Sequence, residues 1–84
     1  MTEGKKVGII THYFGHIGVA VVKLTDGSLK EGDKIRIVGH TTDFEQPVKS
    51  MEIDHKKIEE AKKGQEFGMK TADVVRQNDI VYKL

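Results

Sequence analysis

Leu29-Lys30-Glu31-Gly32-Asp33-Lys34-Ile35-Arg36-Ile37-Val38 contains a tight turn followed by the strand it feeds. Ile35 and Ile37 alternate with Lys34 and Arg36, so one face is apolar and the other charged, which is the period of a half-buried strand. The turn is echoed twice downstream. Ala61-Lys62-Lys63-Gly64-Gln65 precedes Glu66-Phe67-Gly68-Met69-Lys70, and Val75-Arg76-Gln77-Asn78-Asp79 precedes Ile80-Val81-Tyr82-Lys83-Leu84. Three matching turns that each re-enter a sheet predict an all-β chain.

Working outward, Val7 to Phe14 is rich in β-branched and aromatic residues and reads as a strand that Gly15-His16 breaks. Ile17 to Leu24 resumes with apolar residues on both alternations, as in a strand covered on both faces. Asp26-Gly27 is a tight-turn signal. Gly39 to Pro47 reads as a loop, with Pro47 expected at a strand start or a sheet edge because it cannot donate to a ladder. Val48, Met51 and Ile53 carry the apolar side of a further strand, and the break in their period predicts a β-bulge near Lys49-Ser50. His55 to Lys63 is rich in helix formers. Its apolar residues are only Ile58 and Ala61, too few for a helix stripe, so a short strand running into a turn is expected.

These signals predict one domain over residues 1–84, an all-β, six-stranded antiparallel closed barrel. Closure would remove the exposed edges that a small sheet otherwise presents.

Composition narrows function by exclusion. The chain has 84 residues, and one this short buries only about 60–65% of its unfolded surface, enough for one core but not for a large cavity beside it. It contains no cysteine, so no disulfide and no thiolate metal site can form. No apolar run is long enough for a membrane span and no signal peptide is visible, so a cytoplasmic location without membrane contact is expected. Fourteen Lys and Arg against thirteen Asp and Glu give a net charge of +1, unlike a dedicated nucleic-acid binder.

Catalytic equipment is sparse in the sequence. It has neither a Gly-x-x-x-x-Gly-Lys-Ser/Thr phosphate loop nor a Gly-x-Gly-x-x-Gly between strand and helix, so no GTP binding and no nucleotide cofactor are expected. Ser28 and Ser50 lack the flanking glycines of a nucleophile elbow. His12, His16, His40 and His55 are the candidates for metal or acid–base work. The spacing of His12 and His16 suits a helix face, but a predicted strand break separates them, so no metal site is expected. Asp54 and His55, read as strand neighbours, would point to opposite faces.

An ordered set of short motifs carries a resemblance. Ile17-Gly18-Val19 leads into Leu29-Lys30-Glu31-Gly32-Asp33-Lys34-Ile35-Arg36-Ile37, then Val48-Lys49-Ser50-Met51, Ala61-Lys62-Lys63-Gly64-Gln65-Glu66-Phe67-Gly68-Met69, and Asn78-Asp79-Ile80-Val81. This order resembles the second, barrel-shaped domain of translational GTPases such as elongation factor Tu, elongation factor G and initiation factor two. Similar barrels are appended to collagenase-like peptidases that act in RNA modification, and Thr41-Thr42-Asp43-Phe44 after Gly39-His40 looks closer to that appended type. A GTPase domain precedes the barrel in the elongation factors, and these residues contain none. The resemblance therefore implies the barrel's own task, without catalysis. It implies binding of RNA (tRNA or rRNA) or a ribonucleoprotein partner. The alternative is a protein-interaction module that docks a separately encoded RNA-modifying enzyme or collagenase-like peptidase. In elongation factor Tu, a glutamate in the strand matching Met51-Glu52-Ile53 faces the terminal adenosine of tRNA. The resemblance thus makes Glu52 the one candidate RNA-binding residue.

Overall fold

In the computed structural model, whose described residues are 4–84, the three predicted turns share one geometry. Each begins on a buried apolar residue, Leu29, Ala61 or Val75. Three residues on, Gly32, Gly64 and Asn78 have φ of 96°, 91° and 79°. That left-handed region is open to glycine and tolerated by asparagine. The last residue then folds its side chain back. Asp33 Oδ2 accepts the Lys30 N–H at 3.0 Å, Gln65 Oε1 that of Lys62 at 2.7 Å, and Asp79 Oδ2 that of Arg76 at 2.9 Å. Its own N–H returns to the same residue's carbonyl, at 3.0, 3.0 and 3.1 Å respectively. A loose echo in sequence is a close repeat in space.

These turns lie among ten strands: β1 (Lys5–Phe14), β2 (Val19–Leu24), β3 (Ser28–Lys30), β4 (Lys34–Val38), β5 (Asp43–Pro47), β6 (Glu52–Ile53), β7 (Lys56–Lys57), β8 (Glu60–Lys62), β9 (Glu66–Lys70) and β10 (Ile80–Lys83). All pairings are antiparallel. Eight strands form one sheet in the order β5-β4-β10-β1-β2-β9-β6-β7, and β3 and β8 pair as a separate ribbon. The core cluster is apolar, from Val7, Ile10, Val22 and Leu24 through Ile35, Ile37 and Met51 to Phe67, Met69 and Val81. Each such side chain contributes about 1.5–3 kcal/mol by leaving water.

The all-β expectation holds, since no helix forms among the described residues, and 55–63 is strand and turn, as expected. The closed six-stranded barrel requires correction. The large sheet has eight strands and is open, with β5 and β7 as its ends. One side chain, not a ladder, ties the β5 end to the end of β9 and the residues just after it. Buried Gln46 donates to the Lys70 carbonyl at 2.9 Å and accepts the Ala72 N–H at 2.6 Å. An amide side chain presents the same donor and acceptor as a peptide unit, so it occupies the place of a missing rung.

Two local expectations also change. Residues 43–47 form strand β5 instead of continuing a loop, although Pro47 does lie on an edge strand. No bulge forms at Lys49-Ser50, because that stretch pairs with nothing. Ser50 turns the chain with φ of 58°, while Val48 and Met51 remain buried on either side. The register shifts fall in β1 instead, between Lys6 and Gly8 and between Ile10 and His12. They accentuate the bend of that long strand around the core.

Candidate functional site

Glu52 lies on β6, exposed, between buried Met51 and half-buried Ile53. It pairs with Lys57 on one side and Gly68 on the other. Its carboxylate makes no hydrogen bond or ion pair among the described residues. Gly68 leaves the neighbouring position as bare backbone, since a Cβ there would meet Val19 Cγ1 at 3.4 Å. A cleft of about 340 Å³ results, with Glu52, Asp54 and His55 on one wall and Phe14, Ile17 and Val19 on the other.

The apolar wall is unusual for its exposure. Phe14 is 45% and Ile17 51% accessible. A single turn fixes both, with the Ile17 N–H donating to the Phe14 carbonyl at 3.1 Å. The ring of His12 stacks on Phe14 with centroids 6.4 Å apart and planes inclined by 26°. His16 lies in the turn itself, so the structure does not bring His12 and His16 together as a ligand pair. Among the described residues no three His, Asp or Glu side chains gather as a metal cluster would.

Asp54 and His55 are not strand neighbours, which corrects their sequence reading. They are the two central residues of the β6–β7 hairpin, with φ of 54° and 64°. Positive φ at both positions is the requirement of the type I′ turn that suits twisted antiparallel strands. Asparagine or glycine normally fills such places, and histidine there costs on the order of 1–2 kcal/mol. Among the described residues, Ser50, Asp54 and His55 are three of the four non-glycine residues with positive φ, and they bracket Glu52. Strain of this kind concentrates where a site is being shaped.

The resemblance singled out Glu52, and the sequence reading did not anticipate Phe14 and Ile17 beside it in the same cleft. The available signal was the pair of large apolar residues flanking the break at Gly15-His16. Chemically, the cleft offers a flat apolar ledge facing an unspent carboxylate acceptor and an imidazole. It can hold a flat apolar group that also carries hydroxyl or N–H donors.

A second, smaller hollow of about 280 Å³ lies between the 39–42 loop with the start of β5 and the segment after β9. Arg36 grips Asp43 there with two N–H donors, both at 2.8 Å. This hydrogen bond, reinforced by the guanidinium charge and opposed by desolvation, holds the Asp43 carboxyl below its ordinary value.

The comparisons with known proteins bear on the family and the fold. The family model for elongation factor Tu domain 2 matches residues 18–81. The chain belongs to the elongation factor Tu domain 2 family. Within that family its similarity runs to peptidase-associated proteins. It is 42% identical over 80 residues to an uncharacterized protease of Methanocaldococcus jannaschii, covering 94% of this chain and 19% of that protein. It is 35% identical over 78 residues to a collagenase of Porphyromonas gingivalis, covering 92% of this chain and 22% of that protein. The chain thus spans about a fifth of the length of these relatives. Two solved structures of the C-terminal domain of a Geobacillus thermoleovorans protein named as a U32 peptidase share the fold. One, a selenomethionine variant, has a TM-score of 0.88 and 18% identity, covering 94% of this chain and 99% of that one. The other has a TM-score of 0.88 and 17% identity, covering 95% and 92%. No helix among the described residues is long and apolar enough to cross a membrane.

Proposed function

We propose that this chain is a non-catalytic accessory domain that works beside a U32-type or collagenase-like peptidase. The observation that carries this reading is the relation of identity to coverage. A 42% match runs over nearly the whole chain and yet occupies only 19% of the relative. A domain that recurs as a fifth of larger proteins acts for the remainder. The exposed ledge of Phe14 and Ile17 is the feature best suited to contact that remainder. The test is sedimentation or fluorescence titration of the 84-residue chain against a U32-type polypeptide lacking its own copy of this domain. Association that Ile17→Glu weakens supports the reading. Absence of association at tens of micromolar argues against it.

A second reading is favoured by the cleft itself, in which Glu52 faces Phe14 across bare backbone at Gly68. The occupant would be the 3′ end of an RNA, its base on Phe14 and its ribose hydroxyls donating to Glu52. A carboxylate accepts from hydroxyls and repels phosphate, which suits a terminal nucleoside and not a backbone groove. Removing the acceptor in Glu52→Ala should weaken binding of a tRNA acceptor end by about 1–3 kcal/mol, with little effect on folding. Equal binding by Glu52→Ala, Glu52→Gln and the parent would remove Glu52 from this role.

A further inference from the structure

The hollow between the two loops lies apart from the Glu52 cleft. Both of its walls are held in place. In the first loop the Gly39 N–H donates to the Thr42 carbonyl at 2.7 Å, and Thr42 is only 5% exposed. The second wall is pinned at three points: the Ala72 N–H on Gln46, buried Val75, and the Arg76 N–H on Asp79. A hollow with fixed walls loses little entropy when it is filled.

Its chemistry is a mixture of unspent groups. Arg76 is anchored through one nitrogen, Nε donating to Thr41 Oγ1 at 3.1 Å. Its two terminal nitrogens make no hydrogen bond or ion pair among the described residues. A guanidinium oriented through Nε with its outer edge free is set for a planar, two-oxygen acceptor. Three residues earlier, Asp73 gives one oxygen to the Val74 N–H at 2.7 Å and keeps the other. Val74, at 57% the most exposed of the large hydrophobic residues among those described, lines the hollow with half-buried Phe44. Asp43, the remaining charge in the hollow, is already neutralised by Arg36.

We infer that this hollow binds an α-carboxylate attached to an apolar side chain, as found at the C-terminal end of a peptide. The carboxylate takes the free edge of Arg76, the apolar side chain rests on Val74 and Phe44, and the free oxygen of Asp73 accepts the adjoining N–H. Among the described residues, Arg76 and Asp73 are the charges in the lining that form no ion pair, and Asp43, the other charge there, is already paired with Arg36. A simple anion gains little there, whereas a group carrying both an acceptor and a donor is matched at both ends. The volume has room for a terminal residue or two, not for a folded partner.

The experiment is calorimetric titration of the 84-residue chain with a short peptide ending in leucine. Its C-terminal amide, free leucine and inorganic phosphate serve as parallel titrants. Amidation should weaken binding about tenfold or more, the loss expected when a charge-assisted hydrogen bond is removed. Arg76→Gln should do the same and Arg76→Lys less, because lysine keeps the charge but not the two-pronged edge. Val74→Ser should weaken binding several-fold with an unchanged thermal midpoint. Tighter binding of the peptide assigns the site to chain ends, and equal binding of leucine assigns it to free amino acids. Equal binding of peptide and amide, phosphate binding as tight as the peptide, or no binding at millimolar concentration overturns the inference. If Arg76→Gln fails to fold, the amidated peptide and Val74→Ser still decide.

Discussion

The turns at 29–33, 61–65 and 75–79 and the hairpin at 53–56 all reverse the chain through positive φ, but by different means. In the three turns glycine or asparagine takes the left-handed position, and an Asp or Gln side chain caps the N–H left over. In the hairpin Asp54 and His55 take those positions, and neither side chain returns to cap the turn. The three turns meet their backbone requirements locally, whereas the hairpin holds Asp54 and His55, both in the lining of the Glu52 cleft, in the left-handed region.

The largest effect that tests this contrast lies at Asp79. Its carboxylate is buried, caps Arg76 and lies against Gly39 so tightly that a Cβ on Gly39 would collide with it. Asp79→Ala should destabilise by about 1–3 kcal/mol in urea titration, because a cap is lost from a packed site. Gln65→Ala should cost clearly less, since its turn is exposed. Equal losses would mean that burial adds nothing to the cap.

Gly64→Ala should follow, at about 1 kcal/mol destabilising. The added methyl meets nothing within 4 Å, so the whole cost is backbone strain. The hairpin should respond with the opposite sign. His55→Gly should raise stability by about 0.5–1 kcal/mol, which for a domain of this size lifts the thermal midpoint by a few degrees. A destabilised His55→Gly would end the idea that the hairpin stores strain.

The smallest effect concerns Asp43. Arg36 holds its carboxyl below the ordinary value of 3.8 by hydrogen bonding and by charge. A depressed folded-state pKa contributes stability that is present above the unfolded value and lost as pH falls through the folded one. In Arg36→Gln the Asp43 titration followed by NMR should move back up toward 3.8, with stability barely changed at neutral pH. The pair is exposed, and such pairs contribute little.

Much of the fold was legible in the sequence because its signals are local. Alternation at Ile35 and Ile37, the glycine or asparagine at 32, 64 and 78, and the Asp or Gln that follows each reflect backbone requirements met within five residues. The shortage of apolar residues in His55 to Lys63 was enough to deny it a helix. Glu52 was singled out by resemblance alone, since nothing local distinguishes it from any outward-facing strand carboxylate.

What stayed hidden depends on contacts far apart in the chain. Gln46 is an ordinary polar residue in sequence, and only the approach of Lys70 and Ala72 makes its amide the tie at an open sheet's edge. Phe14 and Ile17 become the wall of a cleft only because β9 brings Gly68 between them and Glu52. Arg76 meets Thr41 across 35 positions of sequence. The all-β class, the three turns and the alternation of the core can be read locally, because they follow from φ preferences and a period of two. Strand count, open ends and both hollows were decided by tertiary structure, because they depend on which distant backbone stretches come within hydrogen-bonding reach.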